Sequence, residues 1–322
     1  MTNLTSHSAY HGGSWQPRIL AHDQELNARK HWSNFGINSE WRPLRKVMLY
    51  RVPQRAPRCP RPEKIQHLRR VDWRILGQEM LSLSRVLKKN GVEVIWQRAD
   101  EFAQPKPNAM FVRDQFMLTP WGAVLGRMAS EIRAGEEKWA QLTLAKAGIP
   151  LLALIRGQGT FEGADALWLS AKHLLVGVGN RTNQSGFKQI KDLLAEFSVK
   201  VSAIEMPTNV QHLLGLLQII APNRALVRVD QAPTQLIRIL QGARYSIVAV
   251  LESDEVVFNQ GMNVLCLGPN RIVMPQNCPQ LVELFSTHKI EIVAQVKIGQ
   301  LLNAAGGIAC ATAPLARGLS VR

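Results

Sequence analysis

Leu167-Trp-Leu-Ser-Ala-Lys-His-Leu-Leu-Val176 reads as two apolar strands around a short turn. The same pattern recurs. Phe116-Met-Leu-Thr-Pro-Trp-Gly-Ala-Val-Leu125 lies before it, and Leu217-Gln-Ile-Ile-Ala-Pro-Asn-Arg-Ala-Leu-Val227 and Val264-Leu-Cys-Leu-Gly-Pro-Asn-Arg-Ile-Val273 lie after it. The turns begin near Thr119, Ser170, Ala221 and Gly268, so the spacing is close to 50 residues, the mark of a repeat array. Pro, Asn and Gly in the turns suit hairpins.

Each hairpin is followed by a stretch of helical pattern and then a β-rich segment. The helical stretches are 136–147, 184–197, 233–240 and 279–287; Phe187, Ile190, Leu193 and Leu194 show the helical spacing most plainly. The strands that follow are 151–155, 200–205, 246–251 and 290–296. An earlier unit fits strand 44–50, helix 77–88 and strand 92–96. The reading is an α/β chain of about five ββαβ units closing into a pseudo-fivefold propeller. Closure removes exposed sheet edges and leaves an axis where a polar site can be buried. The competing reading is an ordinary α/β sheet with coincidental hairpins.

At 322 residues and 46% hydrophobic, the chain can bury a large core. No apolar run approaches the roughly 20 residues that cross a bilayer. The polar start, Met1 to Trp15, lacks the apolar stretch of a secretory signal. A soluble, cytoplasmic protein is expected, with residues 1–35 as a flexible extension and 36–322 as one propeller domain. Cys59, Cys266, Cys278 and Cys310 form no CxxC pair and no zinc-finger spacing, which argues against a disulfide framework or a structural metal.

The net charge is +15. It is concentrated: Arg42 to Arg74 holds eleven Lys or Arg against Glu63 and Asp72, with five prolines among them. Such a balance suits polyanions, but there is no helix-turn-helix, finger or RNP pattern, and few aromatics for base stacking. Nucleic acid is therefore not the expected partner.

Polar groups fall at equivalent places before the hairpins. Asp114, Asp165 and Asn263 each lie five residues before their turn, and Glu162 and His212 eight and nine before theirs. Equivalent positions in a ring converge on one end of its axis. Buried carboxylates need a compensating cation, which a cationic ligand supplies. Each residue has a plainer account: Asp114 follows Arg113 as in a surface ion pair, Glu162 and Asp165 flank Gly163 as turn residues, and a lone histidine or cysteine is usually structural. Cys310, in Ala304-Ala-Gly-Gly-Ile-Ala-Cys310, follows small residues that let a ligand approach the backbone. A single cysteine with a distant His and acid is a thiol-nucleophile pattern.

Taken together, the motifs resemble those of the guanidine-modifying enzymes, the pentein superfamily of arginine deiminases, dimethylarginine dimethylaminohydrolases and amidinotransferases. The likeness runs from about Gly36 to Arg317. Gly36-Ile-Asn-Ser-Glu40 with Leu44-Arg-Lys-Val-Met48 is similar to the family's first strand. Pro107-Asn-Ala-Met-Phe-Val-Arg-Asp114 resembles PNxxFxRD, and Phe161-Glu-Gly-Ala-Asp165 resembles EGGD with Ala164 for the second Gly. Gly177-Val-Gly-Asn-Arg-Thr-Asn183 resembles GxSxRTN with Gly179 for Ser, His212-Leu213 the catalytic His-Leu, and Gly306-Gly-Ile-Ala-Cys310 the GGxxC terminus.

The resemblance implies a five-bladed ββαβ propeller and a cofactor-free reaction. Cys310 would attack the guanidinium carbon of an arginine-like substrate, plain or N-substituted, to form an amidino-thioether. His212 would act as general acid and base, and Glu162 would orient it. Asp114 would bind the guanidinium, Arg133 and Arg181 would hold a substrate carboxylate, and Asn108 and Asp165 would be further substrate-binding residues. The product would be a citrulline-type ureido compound plus ammonia or an alkylamine. An amidinotransferase, and a non-catalytic binding protein on the same fold, are the alternatives. Deiminases and amidinotransferases carry Asp two residues after the histidine, where this chain has Leu214. That departure suggests a less polar site that would suit a substituted guanidine. The Arg51–Arg74 segment corresponds to a lid in relatives and could draw an acidic substrate or partner.

Overall fold

The computed structural model describes residue 5 and residues 7–11, 13–28, 30–53, 57, 61–98 and 106–319. Fifteen strands among them form five three-stranded sheets. The strands are β1 (Leu44–Arg51), β2 (Glu93–Arg98), β3 (Phe116–Leu118), β4 (Ala123–Leu125), β5 (Leu151–Leu154), β6 (Ala166–Ser170), β7 (His173–Val178) and β8 (Lys200–Glu205). They continue with β9 (Leu217–Ala221), β10 (Arg224–Arg228), β11 (Ser246–Val250), β12 (Leu265–Gly268), β13 (Arg271–Pro275), β14 (Glu291–Val296) and β15 (Thr312–Arg317).

Four sheets repeat one plan. An antiparallel hairpin is followed by a helix, and the third strand returns parallel to the second. The sheets are β3-β4-β5, β6-β7-β8, β9-β10-β11 and β12-β13-β14. Eight α-helices lie among the described residues: α1 (His22–Ala28), α2 (Trp73–Lys89), α3 (Glu137–Lys146), α4 (Gln184–Ala195), α5 (Thr234–Gly242), α6 (Asp254–Val257), α7 (Pro279–Thr287) and α8 (Gly299–Asn303). The crossovers are α3, α4, α5 and α7. All four hairpins lie where the 50-residue recurrence puts them. Pro-Asn fixes two of their turns: Asn223 and Asn270 take φ of 55° and 56°, a left-handed conformation that Asn tolerates.

The fifth sheet differs in how it is assembled. Its order is β15-β1-β2: β1 and β2 are parallel across α2, and the antiparallel partner of β1 is the last strand. Met48 pairs with Ala313 and Leu49 with Thr312. This closes the ring and leaves β1 no open edge. Helix α2 starts at Trp73, earlier than its apolar spacing suggests, because Asp72 Oδ1 accepts from Arg74 N and Ile75 N at 2.9 and 3.0 Å.

The first strand of each sheet is the most buried. β3, β9, β12 and β15 are buried throughout, whereas the third strands β5, β8, β11 and β14 are partly exposed. Residues leading into the first strands therefore gather at one end of the axis. The 1–35 segment contributes Leu26 and Phe35 to the core, and His22 Nε2 lies 3.0 Å from Trp121 O. Among the described residues, no helix is long and apolar enough to cross a membrane.

Candidate active site

Short 3-10 turns at Val112–Asp114, Gly163–Asp165 and Leu213–Gly215 lead into β3, β6 and β9. Asn263 and Cys310 each stand two residues before their own first strand, β12 and β15. Gly163 is required where it stands: a Cβ there would lie 2.0 Å from Phe116 O. The turns bring Asp114, His212 and Cys310 to the wall of one cavity, with Asn108, Arg133, Arg181 and Gln66 beside them.

His212 Nε2 lies 2.7 Å from Glu162 Oε2. Burial favours neutral imidazole, but the charge of Asp114, the hydrogen bond to Glu162 and the charge of Asp165 outweigh it and bring the His212 pKa to about 9. Burial likewise opposes ionisation of Glu162. The Arg133 charge and the His212 hydrogen bond prevail, and its pKa falls to about 2. Near neutral pH this pair is an imidazolium on a carboxylate.

Cys310 Sγ accepts a hydrogen bond from Asn263 Nδ2 at 3.0 Å. The orientation of that amide is set from behind, because Asn263 Oδ1 accepts from Ala309 N at 2.7 Å and from Cys310 N at 3.4 Å. Gly307 makes room for it, since a Cβ there would lie 2.7 Å from Asn263 Cγ. Burial, and next the Asp114 charge, push the thiol pKa up to about 11. Without a bound cation the sulfur is therefore a thiol at neutral pH.

Arg133 is buried among three carboxylates. Its Nη1 donates to Asp114 Oδ2 at 2.7 Å and to Glu162 Oε2 at 3.5 Å. Its Nε and Nη2 donate to Glu136 Oε2 at 3.1 and 2.9 Å. The resemblance implied that Arg133 holds a substrate carboxylate; its donors are instead largely engaged by the protein. Asp114 Oδ1 is buried with no hydrogen-bond partner. Arg181 is more open, with Nη1 3.6 Å from Glu162 Oε1. Ligand atoms of Asp114, Glu162 and His212 lie within 4.8 Å of one another, a spacing a metal ion could use; here the Arg133 guanidinium already compensates both carboxylates.

Other predicted residues serve the frame. Asp165 Oδ2 accepts from Thr182 Oγ1 at 2.6 Å and its Oδ1 from Leu213 N at 3.0 Å, which fixes the turn after His212. Burial raises its pKa to about 6. Asn108 Nδ2 donates to Ile65 O at 2.8 Å and its Oδ1 lies 3.1 Å from His67 Nε2. It thereby ties the end of the basic segment to the cavity. Residues 54–56 and 58–60 of that segment lie outside the described residues. Its far end docks: Leu68 N and Arg69 N donate to Asn303 O at 2.8 and 3.0 Å, and Gln66 Nε2 to Ser130 Oγ at 2.6 Å.

Three findings depart from the sequence reading. Arg113 and Asp114 are not a surface pair: both are buried, and Arg113 turns to Glu40 at 3.5 Å. Leu214 is not on the wall of this cavity but lines a second one with Gln218 and Arg317, so its lack of charge does not itself make the first cavity apolar. Glu136 was missed, because its neighbours Glu137 and Lys138 read as a solvated helix start; the Arg133-x-x-Glu136 spacing was the signal available.

The comparisons with known proteins agree with this geometry. The family model described as arginine deiminase matches residues 66–213 and 223–317. An uncharacterised Bacillus subtilis protein is 25% identical over 236 residues, covering 73% of this chain and 78% of that one. N(G),N(G)-dimethylarginine dimethylaminohydrolase of Pseudomonas aeruginosa is 22% identical over 245 residues, 76% of this chain and 90% of that one. Among solved structures, an amidinotransferase of saxitoxin biosynthesis from Microseira wollei superposes with a TM-score of 0.72 at 17% identity, covering 89% of this chain and 98% of that one. The five-sheet ring is thus the pentein fold, and the chain belongs to the arginine deiminase family of the guanidine-modifying superfamily.

Proposed function

We propose that the chain is a cysteine-dependent hydrolase of the guanidino group of an arginine-like, free amino-acid substrate. The observation that carries this reading is Asp114. One of its oxygens is held by Arg133, and the other is buried, unpartnered and on the wall that also bears Cys310. A buried unpaired carboxylate oxygen is costly. A substrate guanidinium would donate to it and present its central carbon to Sγ. Arg181, the less engaged arginine, is then the partner for the substrate carboxylate.

The bound cation lowers the thiol pKa, and the thiol proton passes to solvent water, since His212 is already protonated. Sγ bonds to the guanidinium carbon while His212, protonated, passes its proton to the departing nitrogen, whose bond to carbon breaks. The freed imidazole then takes a proton from water as that water attacks the amidino-thioether. Sγ leaves as thiolate and a ureido product remains. Glu162 keeps the imidazole oriented through both steps. The cavity has about 20 Å³ of free space, and Gln66 and the 304–306 turn stand on its wall, where they narrow the entry for an amino acid. That supports a lid role for the 51–74 segment.

The test is a panel of arginine, methylarginines, agmatine and arginyl peptides, read by ureido detection and mass spectrometry. A ureido product from one member, lost in Cys310→Ala, is the expected result. An amidino group recovered on an added acceptor amine would assign transfer instead, and full activity in Cys310→Ala would remove the nucleophile.

A further inference from the structure

Ala309 and Thr312, on either side of Cys310 in the chain, lie on the wall of a second cavity at the propeller axis. Its polar wall is Glu40, Arg113, Gln218, Cys266 and Arg317. Arg113 and Arg317 are 6% and 5% exposed. The protein meets their hydrogen-bonding needs incompletely. Arg317 donates from Nη1 to Arg42 O at 2.7 Å and from Nη2 to Cys266 O at 2.9 Å, while its buried Nε has no acceptor. Arg113 engages only Nη2 among the described residues, toward Ala166 O at 3.3 Å and Glu40 Oε2 at 3.5 Å.

The charges do not balance. Glu40 is the one carboxylate on this wall, and its other oxygen accepts from Trp168 N at 3.1 Å. Burial pushes the Cys266 thiol up to about 11, so it is neutral, and it donates to Gly268 O at 3.1 Å. Two guanidinium groups thus face one carboxylate. A buried charge without a counterion is strongly unfavourable. Water filling the space would satisfy hydrogen bonds and leave the charge. The free space is about 20 Å³, which admits one water-sized body and no polyatomic anion such as phosphate.

We propose that this cavity binds a single halide ion, chloride under ordinary conditions, through the unengaged guanidinium hydrogens of Arg113 and Arg317. The site is independent of the chemistry at Cys310 and does not rest on the hydrolase reading. It makes this wall electrically neutral, and it lies against the backbone that carries Cys310.

The experiment uses the full chain. Thermal unfolding is followed in sodium chloride, sodium bromide and sodium gluconate at equal ionic strength, and crystals soaked in bromide are measured for anomalous scattering. Halide should raise the Tm saturably, by about 2–4 °C, while gluconate should not. A bromide peak should lie within hydrogen-bond reach of both arginines. Gln218→Glu places a carboxylate on the wall: it should hold the wild-type Tm in gluconate and lose the halide response. Absence of the bromide peak, or equal Tm in all three salts, overturns the proposal. So does a Gln218→Glu variant that melts well below wild type in gluconate, as a buried acid with no excess cation would. If that variant does not fold, the bromide density decides alone.

Discussion

Asn263 Nδ2 donates to Cys310 Sγ at 3.0 Å, and the same side chain holds the two amides that lead into that sulfur. This donor favours thiolate over thiol. Asn263→Ala should raise the apparent thiol pKa and lower kcat/KM by about 10- to 100-fold, the value of one hydrogen bond to a charged group. The pH dependence of iodoacetamide alkylation at Cys310 checks it. An unmoved alkylation profile would reduce Asn263 to a strut.

Asp114 is the group that should discriminate a cation from a neutral analogue. Asp114→Asn presents an amide where the substrate needs an acceptor and leaves Arg133 less compensated. Loss of kcat/KM on the guanidino substrate should reach about 10²- to 10⁴-fold, as for a buried charge-assisted contact. Citrulline binding, measured by calorimetry, should suffer less.

Arg133 and Arg181 should separate by what they disturb. Arg133→Met leaves Asp114, Glu136 and Glu162 together without their cation, so it should destabilise the fold by about 3–5 kcal/mol. Arg181→Met should leave the Tm near wild type and raise KM, with kcat little changed. Urea unfolding beside steady-state kinetics tests both. Equal stability losses would remove the distinction.

Stability should decline from mildly acidic to alkaline pH. His212 has its folded pKa raised to about 9, so its contribution is complete below about 6.5 and is lost as pH climbs through 9. That contribution is on the order of 3 kcal/mol. Asp165 and Glu136, raised to about 6 and 7, act in the same direction, since each is protonated in the fold before it is in the unfolded chain. Glu162, lowered to about 2, removes stability only as pH falls below about 4.5. The Tm should therefore be highest near pH 5 and fall towards pH 9. His212→Gln should flatten the upper limb.

The hairpins were legible because each is local: two short apolar strands around a tight turn within a dozen residues, with Pro together with Gly or Asn in three of the four turns. Glu162, His212 and Cys310 were legible through motif order. The closing strand was not, because 312–317 contains Pro314 and its partner β1 lies more than 260 residues away. Asn263 was noticed for its repeat position, yet only packing could assign it to Sγ. The excess cation at the axis was equally hidden. Arg113, Arg317 and Glu40 are far apart in sequence, and nothing local marks an arginine as buried.

The pairing of β15 with β1 also bears on synthesis. A ribosome that has released the chain as far as β14 has made four whole blades and one raw edge, but not yet Cys310. The segment that seals the ring is the segment that delivers Cys310. A nascent, stalled or proteolytically trimmed chain is therefore open and without Cys310, which under the proposed function leaves it inert, and the thiol first meets His212 only once the ring around it is complete.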